Sequence, residues 1–276
     1  MSVAGENGNA RASSDVRTAL ILGGVFGGVV AIWLLLDHGV AAVLGEDHSR
    51  TAHVVRALGA TVLTVPLVVV ARRRLDRRGW SGLGLTPLRE GWRPLLLGIG
   101  WWAVPAAVAT VGVVAAGGAQ LRVQEPIGNV LAGLAALTVL VLLYEALPEE
   151  LIFRGYFYAN LAERRPVGVA VIGQAVLFTL WGVAIGAALS AERIVLFLVF
   201  SCALGVVRAI TGSLWSTIGF HWAFQVTAQY LGPSWDAVAL DDPDQLVALT
   251  LSMVPFLAVF AGAAVLRRRS GRFRSA

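Results

Sequence analysis

Residues 144–155 read Tyr-Glu-Ala-Leu-Pro-Glu-Glu-Leu-Ile-Phe-Arg-Gly and carry Glu145, Glu149, Glu150 and Arg154. They follow a stretch without a charge from Val130 to Leu143, so three carboxylates stand at the end of a segment suited to lipid. An ionised side chain at that depth costs at least a few kcal/mol and is normally kept for ion pathways, proton relays or chemistry. At roughly 100° per residue, Glu150 and Arg154 project within about 40° of each other on a helix and can pair. Glu145 and Glu149 stack one turn apart on a different face. Pro148 cannot donate a hydrogen bond to the Tyr144 carbonyl, which predicts a kink or a local opening. The pattern predicts one Glu neutralised by Arg154 and another free to face a cavity. The competing reading is a helix end in cytoplasmic water, with all four groups simply solvated.

A second polar constellation lies at His221, with Gln225 one turn on and Gln229 a turn after that, along one face of an apolar segment. Interior amides must find partners in a cavity or on another helix. Together the two groups could hydrolyse an amide. A carboxylate takes a proton from water and directs it at a carbonyl, and an imidazole and a carboxamide donate to the oxyanion that forms. Glu149, His221 and Gln225 supply those roles without a cofactor. Zinc is the rival. A catalytic zinc usually has three protein ligands; Glu149, Glu150 and His221 barely provide them, and there is no His-Glu-x-x-His. His38, His48 and His53 fall in or beside one loop and read as solvated.

The elements that must position these groups are transmembrane helices. The chain has 276 residues, is 57% hydrophobic and 14% charged, with a mean hydropathy of +0.73, well outside the range of a soluble domain. Eight spans of near bilayer length can be drawn, at 18–36, 54–71, 95–117, 130–146 running on into the carboxylate motif, 167–189, 194–210, 213–231 and 246–266. The expected fold is an all-α polytopic bundle. A polar, disordered tail is expected at 1–17, a membrane-embedded domain at 18–266 and a basic tail at 267–276. Cys202, the single cysteine, is expected to pack inside a span, and Gly23, Gly24, Gly27 and Gly28 to pack helices. Trp101 and Trp102 are expected at an interface, and Trp181, Trp215 and Trp222 to pack helices or line a cavity.

With the N-terminus inside, the inner segments hold 17 arginines, including Arg72, Arg73, Arg74, Arg77 and Arg78. The outer ones hold Arg50, Arg56, Arg122 and Arg193. That asymmetry places both termini in the cytoplasm. The +5 charge sits in loops beside apolar spans, which argues for lipid and against nucleic acid as a partner. No repeat relates the two halves, which disfavours many transporter folds.

The motifs resemble those of the CPBP membrane-protease family, also called the CAAX-protease or Abi (bacteriocin-processing) family, whose eukaryotic members are type II CAAX prenyl endopeptidases. Glu149-Glu150-Leu-Ile-Phe-Arg154 fits Glu-Glu-x-x-x-Arg. The stretch from Gln174 to Trp181, with Phe178, resembles the approach to Phe-x-x-x-His. His221-Trp-Ala-Phe-Gln225 aligns with His-x-x-x-Asn, and Trp80-Ser-Gly-Leu-Gly-Leu85 with a short Trp…Gly-Leu segment. The similarity runs over about 80–265. It implies an intramembrane endopeptidase in which Glu149 activates water, Glu150 pairs with Arg154, and His221 and Gln225 hold the oxyanion. Glu145 and Phe178 support that site, which is expected to open toward the cytoplasmic half of a bacterial cytoplasmic membrane. Its substrate would be a peptide at or in the membrane. Two departures stand out: Gly182 occupies the position of the family's second histidine, and Gln225 that of its asparagine. They leave two alternatives: a catalytically impaired member acting as a membrane adaptor or immunity protein, and a proton-coupled transporter relaying through Glu145, Glu149 and His221.

Overall fold

A computed structural model describes residues 3–45, 50–119, 121–232, 235, 238–240 and 246–272. The bundle is all-α. In chain order its helices are α1 (Val3–Leu44), α2 (Arg50–Leu75), α3 (Leu88–Ala115), α4 (Ile127–Ala162), α5 (Val167–Ala184), α6 (Ala191–Thr211), α7 (Leu214–Tyr230) and α8 (Val247–Arg268). Among the described residues, seven helices are long and apolar enough to cross a membrane, against the eight expected. The exception is α7, whose 17 residues fall short of the ~20 a bilayer requires. It packs between α3, α4 and α6, and it carries His221. α1 starts at Val3, so the helix runs back through the segment expected to be a disordered tail. His48 lies outside the described residues.

α4 is helical throughout, but its winding changes where Pro148 removes a donor. Leu142–Ala146 and Leu151–Phe157 are π turns flanking the short α-helical Leu147–Glu150. Such widened turns re-satisfy backbone groups without breaking the helix, so the expected opening takes this form. The second π turn is buried along its whole length, from Leu151 to Phe157, and holds Arg154 inside the core.

Glycine sets the height of α7 against α3. A Cβ on Gly98 would run into the backbone of Ser216, and one on Gly219 into the Leu95 carbonyl. Backbone-to-backbone contact of this kind is what small residues permit between membrane helices, and Gly219 is two residues from His221. Alanine ordinarily favours a helix interior over glycine by ~1 kcal/mol. Gly98→Ala is therefore expected to act against propensity, lowering the thermal midpoint of the detergent-solubilised protein. A midpoint equal to or above wild type would show that the close approach is dispensable.

One end of the bundle is closed by polar contacts among the arginine-rich segments. Arg72, 2% exposed, pairs with Glu163 at 3.4 Å and lies 3.9 Å from Asp76. Arg78 also pairs with Glu163. Tyr156 Oη and Asn160 Nδ2 donate to the two Asp76 oxygens. Arg208 donates to the carbonyls of Arg154 and Leu83, both at 3.2 Å, and the Leu214 amide donates to the Gly84 carbonyl. The segment around Trp80–Leu83 is thereby tucked beneath the buried turn of α4. At the opposite end Leu121–Val123 pairs antiparallel with Val238–Leu240, a two-strand ribbon that no sequence signal had marked.

Several side chains depart from expectation. Trp102 is 5% exposed rather than interfacial and donates to the Leu251 carbonyl at 2.9 Å. His53 is half-buried, its ring edge-on to Tyr144 at 5.9 Å, whereas His38 is exposed as expected. Cys202 is half-buried. Of the first-span glycines only Gly28 meets a neighbour, Leu67 at 3.6 Å; a Cβ on Gly23, Gly24 or Gly27 would meet nothing within 4 Å.

Candidate active site

α4 and α7 bring the two polar constellations together, with His221 71 residues from Glu150 in sequence. Glu150 and Arg154 pair one turn apart at 2.8 Å, both side chains 0% exposed. The guanidinium also lies 4.6 Å from the centre of the Phe178 ring and 5.8 Å from that of Phe200, so aromatic faces complete its enclosure. Phe178 thus supports the site as a lid over Arg154.

His221 Nδ1 is 2.9 Å from Glu150 Oε1, the same oxygen that receives Arg154. A carboxylate held by a guanidinium only accepts, so Nδ1 carries the proton and donates to Glu150. Nε2 is therefore the atom turned toward Glu149, whose Oε2 lies 3.9 Å away. That gap is too long for a direct hydrogen bond. One water at ~2.8 Å from each group would close it.

The third carboxylate takes the glutamines. Glu145 accepts from Gln225 Nε2 and, at 2.7 Å, from Gln229 Nε2. Gln225 had been expected to aim its amide at an oxyanion. Its N–H is instead engaged by Glu145, which the extra methylene of Gln over Asn allows it to reach. Glu145 and Glu149, stacked on one face as expected, therefore do different work: one orders α7, the other faces open space.

That space is a cavity of about 420 Å³ lined by Glu145, Glu149, His221, Gln225 and Gln229, with Trp33, Trp181 and Phe200 among its apolar walls. The volume suits a peptide side chain or short segment. Trp181 lines it with a buried indole N–H that has no hydrogen-bond partner among the described residues. Gly182, where the family's histidine was expected, is filled from α6: a Cβ there would run into the Phe197 ring, which stacks on Phe178 at 5.2 Å. Trp181 was expected to pack helices or line a cavity, and it lines one; the roles of Phe197, Phe200 and Trp33 were not legible beforehand, because an aromatic residue in an apolar helix carries no signal that distinguishes cavity wall from packing. Trp215 and Trp222 pack helices, donating to the carbonyls of Thr86 and Thr138.

A catalytic zinc usually has three protein ligands, and among the described residues no three His, Cys, Asp or Glu side chains are grouped to hold a metal ion; Glu150 Oε1 is taken by Arg154 and His221.

Comparison with known proteins gives one family. The family described as Type II CAAX prenyl endopeptidase Rce1-like matches residues 131–227. No curated protein and no solved structure matched the chain. The matched stretch runs from α4 into α7 and contains Glu145, Glu149, Glu150, Arg154, Phe178, His221 and Gln225, and over it the chain, an integral membrane protein, is similar to the CAAX-protease family.

Proposed function

We propose that the protein is an intramembrane endopeptidase in which Glu149 activates a water against a peptide bond of a membrane-associated substrate. The observation that carries this reading is the 3.9 Å gap between Glu149 Oε2 and His221 Nε2 at the wall of a largely apolar cavity that the two groups line together. Glu149 takes a proton from the water as its oxygen attacks the carbonyl carbon, and returns it to the amide nitrogen as the C–N bond breaks. His221, its Nδ1 fixed by Glu150, holds the same water through Nε2 or, as imidazolium, donates to the oxyanion. Glu150 and Arg154 are positioning residues, since their contacts are to His221 and to each other. Purified protein incubated with a library of membrane peptides should yield two fragments ended by a new carboxylate and a new amine, read by mass spectrometry. No cleavage of any member would overturn the reading.

A second reading is favoured by Phe197, whose ring occupies the space a side chain at 182 needs: a member of the fold that binds peptide without cutting it. It makes a distinct prediction. Gly182→His alone is expected to lower the thermal midpoint and leave turnover no higher, because the imidazole collides with Phe197. Gly182→His combined with Phe197→Ala is expected to recover stability. Turnover appearing only in that double variant would favour the binding protein over the protease.

A further inference from the structure

A peptide drawn into a largely apolar cavity leaves its backbone groups without water, and each must find a partner in the wall. Its carbonyls need donors, and most donors of this wall are engaged. Gln225 and Gln229 donate to Glu145, Tyr144 donates to Asp37 at 3.3 Å, and Arg193 donates to the Ala187 carbonyl at 3.2 Å. The Trp181 N–H lacks a partner but is walled off by packing. Ser252 is different. It lines the cavity at 5% exposure, and its hydroxyl has no hydrogen-bond partner among the described residues. The Thr64 and Ser216 hydroxyls are sealed inside packing, whereas that of Ser252 is not. Its open face is therefore the one that borders the cavity.

The local winding explains why this hydroxyl is idle. Ser252 lies in the π turn Val247–Met253, a widened form that recurs at functional sites. A serine or threonine inside a helix commonly bonds back to the carbonyl one turn earlier, as Thr250 does to Leu246 at 2.8 Å. Ser252 makes no such bond. The Leu251 carbonyl receives Trp102 at 2.9 Å, and Phe256, one turn on, packs against Phe200 and Phe224, both at 5.5 Å. These contacts pin the helix on either side of Ser252 without using it. α8 packs mainly on α3, α6 and α7, so Ser252 borders the cavity from a different wall than Glu149 on α4. We infer that Ser252 is a substrate-binding residue, its hydroxyl donating to a backbone carbonyl of the peptide and holding that chain against α8 while Glu149 acts from α4. Ser252 lies outside the stretch 131–227 that the family matches. The inference rests on the protease reading for what is bound.

Kinetics and thiol chemistry test it together. Ser252→Ala is expected to raise KM for the fastest-cut member of the membrane-peptide library by about three- to tenfold, the worth of one neutral hydrogen bond. The value of kcat and the thermal midpoint should be unchanged, since no bond within the protein is lost. An unchanged KM would overturn the inference, and so would a lowered thermal midpoint, which would assign the hydroxyl to folding. In a Cys202→Ala background, Ser252→Cys in the detergent-solubilised protein should react with methyl methanethiosulfonate, and Thr64→Cys, at a sealed position, should not. Library peptides should slow the Ser252→Cys reaction whether or not they are cut. Ser252→Cys as inert as Thr64→Cys, or a reaction that no peptide slows, would overturn the inference. Slowing by peptides that are never cut would remove the protease reading and leave Ser252 as a peptide contact.

Discussion

Glu149→Gln is expected to lower turnover of a membrane peptide by about 10²–10⁴, the usual contribution of a positioned general base, with little change in the thermal midpoint. The amide keeps the size and hydrogen-bonding capacity of the carboxyl group but cannot take a proton from water. Stability should survive because His221 Nε2, 3.9 Å away, is too far for a direct hydrogen bond and the side chain borders the cavity. A rate loss of this size is about 2.7–5.4 kcal/mol of transition-state stabilisation. Turnover at the wild-type rate would remove Glu149 from the chemistry.

Glu150→Gln is expected to show the opposite profile, with instability first. Arg154 is 0% exposed and its Nη1 bonds Glu150 at 2.8 Å, while Nε and Nη2 have no hydrogen-bond partner among the described residues. Removing the carboxylate leaves a guanidinium buried without a counter-charge, which costs ~3–5 kcal/mol. It also frees His221 Nδ1. The double change Glu150→Gln with Arg154→Met removes both charges and should recover most of the thermal midpoint, because a buried pair can be replaced by apolar groups at little cost. It should not recover turnover, since His221 loses its orienting partner. A single Glu150→Gln variant as stable as wild type would show that Arg154 finds its compensation elsewhere.

What could be read in advance was local. The four-residue spacing of Glu150 and Arg154, the disturbed winding at Pro148 and the shared face of His221, Gln225 and Gln229 all follow from helical geometry within one segment. So does the all-α bundle, from the length and recurrence of the apolar runs. Periodicity says which side chains share a face and not which helix that face meets. That is why Gln225 could be assigned to an oxyanion when its N–H reaches Glu145 on α4. It is also why the filling of the Gly182 site by Phe197 was not foreseen. The Arg72, Asp76 and Glu163 contacts join α2 to the end of α4 across 91 residues; charge counting placed those residues at one surface but gave no sign that they close it. α7 was counted as an ordinary span, although its 17 residues and polar face suit a helix enclosed by others.

The central claim is that Glu149 and His221 act on one water in one protein-enclosed cavity, and a double-mutant cycle under single-turnover conditions tests it most directly. If the two groups work as a unit, the loss in Glu149→Gln/His221→Ala should be no greater than that of the slower single variant, because either change alone already disables the shared step. Losses that multiply would place the two residues in independent roles and contradict the account.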